Sequence, residues 1–214
     1  MAYGEALLLQ ESLQRLRIGG GGDDFLLLVE HPPVLTLGRS GTLSNLLLSP
    51  AELSEKGVTV HEVSRGGDIT YHGPGQIVGY PILDLNHHGK DIRLFIHQLE
   101  EVFVRLLKQE YGISARREEK KYTGVWAGNE KITAIGVSVR RFVTMHGFAF
   151  NVNTNLEHFK WIVPCGISDR GVTSLQKLTG SVQNMDQVKQ RVIQSFCHVF
   201  GMEAVDRDLW EIQE

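Results

Sequence analysis

Arg65-Gly66-Gly67-Asp68-Ile69-Thr70-Tyr71-His72-Gly73-Pro74-Gly75-Gln76 sets four glycines among an arginine, an aspartate, a threonine, a tyrosine and a histidine. Glycine lets another group come close to the backbone. The polar side chains can orient a carbonyl or carry a proton. A plain turn needs the glycines but not this company, so the stretch reads as the wall of a site. A Walker-type phosphate loop would need Gly-Lys-Ser/Thr opening a helix. No such triplet is present, and an apolar run follows instead. Gly73, Gly75 and Gly79 also miss the dinucleotide-binding spacing by one residue.

Working outward, residues 77–85 read as a strand, and Pro81 within it predicts a sheet edge or a bulge. Upstream, residues 3–17 have helical periodicity, with Ala6, Leu9, Leu13 and Leu16 on one face. Gly19 to Gly22 form a loop before two short apolar strands, Phe25–Val29 and Val34–Leu37. Ser49-Pro50-Ala51-Glu52 is a capping box with proline at the first helical position, and residues 58–63 follow as a strand. Downstream, residues 91–111 make the clearest helix. Asp91 caps it, Ile92, Phe95, Ile96, Leu99, Phe103 and Leu106 form its stripe, and Gly112 closes it. Residues 116–121 read as a charged loop. Gly128-Asn129 joins a hairpin of residues 123–126 and 131–139, and a turn at Arg140-Arg141 leads into a strand over 142–152. The last helix covers residues 186–200. This order predicts an α+β fold, a mixed and mostly antiparallel sheet flanked by helices, as one domain over residues 1–214.

Composition narrows the function. Lys+Arg 22 against Asp+Glu 25 leaves a net charge of −3, without the electrostatic footprint of a nucleic-acid binder. No apolar run approaches the roughly 20 residues of a membrane span. Two cysteines make no disulfide framework, and with no secretory signal they predict a reducing, cytoplasmic setting. His61-Glu62-Val63-Ser64-Arg65 begins like a zinc helix but has arginine where the second histidine must stand. Neither a metal nor another cofactor is expected.

Cys197, between Phe196 and His198 in a helix, reads as a core residue. Cys165 differs. Pro164 restrains the residue before it and Gly166 leaves the sulfur uncrowded, although an inert buried thiol fits the same pattern. A free thiol has a pKa of about 8.5, so a nucleophilic Cys165 needs a neighbouring base or cation. His72, His146 and the lysines are the candidates. Lys131 follows a tight turn directly, and on spacing alone it reads as an exposed turn lysine.

The glycine-rich stretch resembles the signature of the lipoyl(octanoyl) transferase family, whose α/β fold is shared with biotin and lipoate protein ligases. Further segments match in order: Glu30-His31-Pro32-Pro33 with Thr36-Leu37-Gly38, Gly124-Val125-Trp126, Lys131-Ile132 with Ala134-Ile135-Gly136, His146-Gly147-Phe148-Ala149 with Asn151, Pro164-Cys165-Gly166, and Gly171-Val172-Thr173-Ser174. One departure is that the family has a strand before the first helix, whereas here residue 3 already lies in the helical pattern.

The resemblance implies that Cys165 carries an octanoyl group as a thioester and that Lys131 lowers its pKa and shuttles protons. It implies a substrate wall of Arg65, Gly66, Gly67, Asp68, Ile69, Thr70, Tyr71 and His72, with Ala134, Ile135, Gly136, Gly147, Phe148 and Ala149. It further implies octanoyl-acyl carrier protein as donor. The acceptors would be lipoyl domains of 2-oxoacid dehydrogenase complexes and the glycine cleavage H protein, with no ATP requirement and a monomeric enzyme. An ATP-dependent ligase on the same fold and an acyl-thioesterase are the rival readings. Acyl carrier proteins are acidic, which makes Arg116, Arg117, Lys120, Lys121, Arg140 and Arg141 docking candidates. Strict strand alternation would put Lys131 and Ala134 on opposite faces, so either a bulge intervenes or Ala134 acts through its backbone.

Overall fold

The computed structural model describes residues 1–118, 122–163 and 170–208. Two strands form its centre, β5 (Gln76–Ile82) and β9 (Val143–Asn151), both buried along their whole length. They are covered on both faces, so their sequences read as near-continuous apolar runs rather than as alternation. The larger sheet runs β1-β5-β9-β8-β7-β6, with β1 Phe25–Val29, β8 Glu130–Arg140, β7 Gly124–Ala127 and β6 Arg116–Arg117. All these pairings are antiparallel, and a short β10 (Gly171–Val172) adds to β8 in parallel. A second sheet of three strands has β2 (Val34–Leu37) in the middle. It pairs in parallel with β3 (Thr59–Glu62) and antiparallel with β4 (Ile69–His72).

Helices close the layers. On one side α3 (Ile92–Tyr111) and α5 (Met185–Phe200) bury Phe95, Leu99, Phe103, Val188, Val192 and Phe196 in one cluster with Ile77, Phe148 and Phe150. Asp91 accepts from the Arg93 and Leu94 N–H groups and Gly112 closes α3 in the left-handed region, as its sequence predicts. α1 (Tyr3–Ile18) packs Ala6 against Val78, Tyr80 and Ala149, and Leu13 against Ile82, Val143 and Met145. The capping box of α2 (Pro50–Glu55) forms as expected, with Ser49 and Glu52 each accepting the other's N–H.

Several expectations are corrected. Within the glycine-rich stretch Ile69–His72 forms a strand, β4, against β2, where the sequence reading assigned no element. Arg116–Arg117 is an edge strand rather than part of a charged loop. Pro81 is not on an edge strand: β5 lies between β1 and β9. Its ring is tolerated because the β5–β9 register ends at Gly79; beyond it the Thr144 hydroxyl donates to the Pro81 carbonyl at 2.6 Å and the Thr144 N–H to the Leu83 carbonyl at 2.9 Å. Opposite this gap, Gly147 approaches so closely that a Cβ there would lie 2.1 Å from the Gly79 carbonyl oxygen. The buried face of α1 is also rotated from the expected one. Gln10 and Gln14 point inward and Leu16 is exposed. A short α4 (Leu175–Thr179), capped by Ser174, carries too little periodicity to stand out in sequence.

Candidate active site

A cavity of about 390 Å³ opens where the two sheets meet, a size within the range of small-molecule sites. The glycine-rich stretch supplies one wall through Arg65, Gly66, Gly67, Asp68, Thr70 and His72. β8 supplies Lys131, Ala134, Ile135 and Gly136, and β9 supplies His146, Gly147, Phe148 and Ala149. Ile69 and Tyr71 point the other way. They alternate out of the cavity into the small sheet's own core with Leu35, Leu37, Phe159 and Ile162, and the Tyr71 hydroxyl meets His158 Nδ1 at 2.7 Å.

The wall is held rigidly. Arg65 is buried and donates from Nη2 to the Thr36 carbonyl (2.7 Å) and hydroxyl (2.9 Å), and from Nη1 to the Gly66 carbonyl (3.0 Å). Asp68 accepts from the Ile69 N–H at 2.6 Å and from the Asn45 amide. The Gly66 N–H donates to the Val137 carbonyl at 2.9 Å, which ties the glycine-rich wall to β8.

Two histidines face this space, and neither is a cation at neutral pH. Gln76 spends its amide N–H groups on the Tyr71 carbonyl and Asn151, so its Oε1 must accept from His72 Nδ1, 2.8 Å away. Burial, with Arg65 nearby, pushes the His72 pKa down to about 3. His146 has φ +60°, unusual for a side chain with a Cβ. Its N–H donates to Gln10 Oε1 at 3.0 Å and its Nε2 lies 3.2 Å from the Ser64 hydroxyl. Among the described residues its buried Nδ1 has no hydrogen-bond partner. Burial first, then Arg65 and Arg39, lowers its pKa to about 4. Imidazoles this weakly basic are poor proton carriers at neutral pH.

Lys131 is different. A bulge in β8 resolves the alternation problem: Lys131 pairs with Trp126 while Thr133 pairs with Val125, so Ile132 is extra. The result is that Lys131 and Ala134 both line the cavity. The lysine is half-buried, donates to the Thr123 carbonyl at 3.1 Å and lies 4.9 Å from the centre of the Trp126 ring. It is therefore no exposed turn lysine. A smaller void of about 30 Å³ shares Thr70, Lys131, Ala134 and Ala149 with the cavity wall and adds Arg170, Gly171 and Val172. Val172 pairs with Lys131, and the Arg170 guanidinium lies over the Tyr122 and Trp126 rings and pairs with Glu118. Cys165 and Gly166 lie outside the described residues.

Sequence reasoning missed Tyr3, Val78, Tyr80, Ile96 and Thr123, which also line the cavity. They are ordinary members of a helix, a strand or a loop, and no local motif marks them. Of the docking candidates, Arg116 and Arg117 are engaged with Glu118 (2.7 Å) and Glu101 (2.9 Å). Arg140 and Arg141 are exposed at a turn, and Lys120 and Lys121 lie outside the described residues. No helix among the described residues is long and apolar enough to cross a membrane.

The fold and cavity define the class first. A solved bi-partite lipoate protein ligase from Thermoplasma acidophilum superposes with a TM-score of 0.71 over 92% of this chain and 81% of that one, at 16% identity. The fold is thus that of lipoate protein ligases, mixed α+β with a largely antiparallel sheet. Sequence is more specific. The octanoyltransferase of Caldicellulosiruptor saccharolyticus is 61% identical over 93% of this chain and 85% of its own length, and that of Desulforamulus reducens 58% identical over 94% and 88%. Residues 2–197 match the lipoyl protein ligase A/B catalytic domain, and the chain belongs to that family.

Proposed function

We propose that this chain is an octanoyltransferase that takes an octanoyl group from acyl carrier protein onto Cys165 and passes it to the lysine of a lipoyl domain. The observation that carries this reading is the Lys131 amine, brought by the β8 bulge to the same cavity wall as Ala134. With His72 and His146 held neutral by burial, Lys131 is the cavity group suited to protonate a leaving thiol.

In the first half-reaction the Cys165 thiolate attacks the thioester carbonyl. The carbon–sulfur bond to the carrier breaks, and the departing thiolate takes a proton from the Lys131 ammonium. In the second half the acceptor amine attacks the acyl-enzyme. Neutral Lys131 takes the amine's proton, the Cys165 thiolate leaves, and an amide forms. An amide lies downhill from a thioester, so ATP has no part. Ala134 and Ala149 put only methyl groups on this wall, leaving room for the acyl chain, whereas Gly136 and Gly147 are glycine because the Gly66 and Gly79 carbonyls press against them; each methylene buried in the cavity contributes about 0.8 kcal/mol. The enzyme acts as a monomer in the cytoplasm, on lipoyl domains of 2-oxoacid dehydrogenase complexes and the glycine cleavage H protein.

Intact-protein mass spectrometry after incubation with octanoyl-acyl carrier protein tests this directly. One octanoyl adduct is expected, absent in Cys165→Ser and discharged by a lipoyl domain with ATP omitted. An adduct that persists in Cys165→Ser, or transfer that requires ATP, overturns the reading.

A further inference from the structure

One buried carboxylate has no part in the chemistry above. Glu100, in the middle of α3, is 5% exposed. It accepts from the Gly124 N–H at 2.9 Å. The carbonyl of that same peptide unit belongs to Thr123, and it accepts from Lys131 Nζ at 3.1 Å. We propose that Glu100 is a positioning residue for Lys131, acting through the Thr123–Gly124 peptide that it grips from the N–H side while the lysine amine is held on the carbonyl side. This deepens the transferase reading and rests on it.

The chemistry of the relay is simple. A carboxylate at the N–H end of a peptide draws its dipole into line and increases the negative charge on the carbonyl oxygen. Hydrogen bonds in such a chain strengthen one another where water is excluded. The carbonyl then holds an ammonium better than a neutral amine. The peptide can present both ends in this way because Gly124 sits at φ +130°. A Cβ there would fall 2.5 Å from the Thr133 carbonyl oxygen and 3.5 Å from the Lys131 stem. Gly124 thus serves the lysine by lacking a side chain, and Glu100 by having a charged one.

Burial pushes the Glu100 carboxyl up, while the Gly124 N–H and the charges of His97, Arg117 and Lys131 oppose that rise. Those charged groups come from α3, β6 and β8. Arg117 is itself paired with Glu101 at 2.9 Å, and Arg170, over the Trp126 ring that Lys131 also faces, pairs with Glu118. The competing explanation is that Glu100 merely satisfies a strand N–H. A neutral amide oxygen would do that equally well, so charge is the variable to test.

The experiment is single-turnover acylation by octanoyl-acyl carrier protein as a function of pH, in wild type, Glu100→Gln, Glu100→Asp and Lys131→Ala, with thermal melting of each. Glu100→Gln keeps an acceptor and removes the charge. The ammonium loses its support, so the alkaline limb moves acidward by about one pH unit. Glu100→Asp keeps the charge, and its limb stays at the wild-type position even if the rate falls. A Glu100→Gln profile that superimposes on wild type, with Lys131→Ala inactive, overturns this inference alone. Wild-type acylation in Lys131→Ala overturns the transferase reading beneath it. Should Glu100→Gln not fold, Glu100→Asp decides, and an acidward shift there refutes the role of charge.

Discussion

The two sides of the central sheet are built from different materials. Against α3 and α5 the sheet presents Ile77, Phe148 and Phe150 to Phe95, Phe103, Val192 and Phe196, a large apolar cluster. Toward α1 and the small sheet, the buried residues include Gln10, Gln14, His31, Arg65, Asp68, His72 and His146. The first side makes few directional demands, Glu100 on the Gly124 N–H and Ser195 on the Val102 carbonyl among them, and can be packed to high density. The second surrounds a cavity, so its shape must be held by hydrogen bonds, because contacts across the empty space are missing. One side stabilises the fold and the other keeps a space open within it.

The largest effect should come from the apolar side. Phe103 is fully buried and its ring lies 4.7 Å from that of Phe148 and 5.1 Å from that of Phe150. Phe103→Ala should cost about 3–5 kcal/mol in denaturant unfolding. Octanoyl transfer per folded molecule should fall far less than stability does. A large rate loss at full folding would show that the two sides are mechanically coupled.

The polar side should fail first in acid. His72 and His146 have pKa values of about 3 and about 4, below the ordinary histidine value. Well above pH 6.5 both folded and unfolded chains keep these rings neutral. As pH falls, the unfolded chain takes up protons that the folded chain refuses, so stability is lost on acidification. Between pH 6.5 and pH 5 the loss should be about 1.5 kcal/mol for each histidine. His146→Asn, a residue suited to positive φ, should flatten its share of that slope in urea titrations run at each pH. An unchanged slope would mean that His146 is protonated in the fold.

What could be read from the sequence follows the same division. α3 was legible end to end because its cap, stripe and closing glycine are all local. So was the β7–β8 hairpin around Gly128-Asn129, and the stretch from Arg65 to His72 was marked by its composition, although Ile69 and Tyr71 within it turn away from the cavity. Lys131 was not legible by spacing, because its burial depends on a one-residue bulge that alternation offers only as one of two ways to reconcile it with Ala134. β4 was hidden since its partner, β2, is distant in sequence. The inward turn of Gln10 and Gln14 was hidden because a glutamine is buried only where a strand offers it a partner.

The small side chains lining the cavity should govern chain length. Ala149 is buried on β9 and lines the space beside Lys131 and Ala134. Ala149→Val puts two more methyl groups where the acyl chain would lie. Displacing about two methylenes should cost roughly 1.6 kcal/mol, close to a fifteenfold fall in octanoyl transfer. Hexanoyl transfer should be affected less and the melting temperature little. Equal losses for both acyl lengths would place the tail elsewhere.

The smallest effect is expected at Gln14, one turn of α1 beyond Gln10. Gln14 donates to the Val143 carbonyl at 3.0 Å, in a neighbourhood that Leu13, Ile82 and Met145 otherwise make apolar. Gln14→Leu removes one buried hydrogen bond but adds apolar contact, so the net cost should be about 1 kcal/mol or less, with octanoyl transfer unchanged. Gln10→Leu is the matched control. It strips the acceptor from the His146 N–H at a strained point of the cavity wall, so it should cost more stability and also slow transfer. The same helix, the same substitution and the same strand then separate support of the fold from support of the site. Equal rate losses in the two variants would extend the site along α1 past Gln10, and the boundary between the two materials would have to be redrawn there.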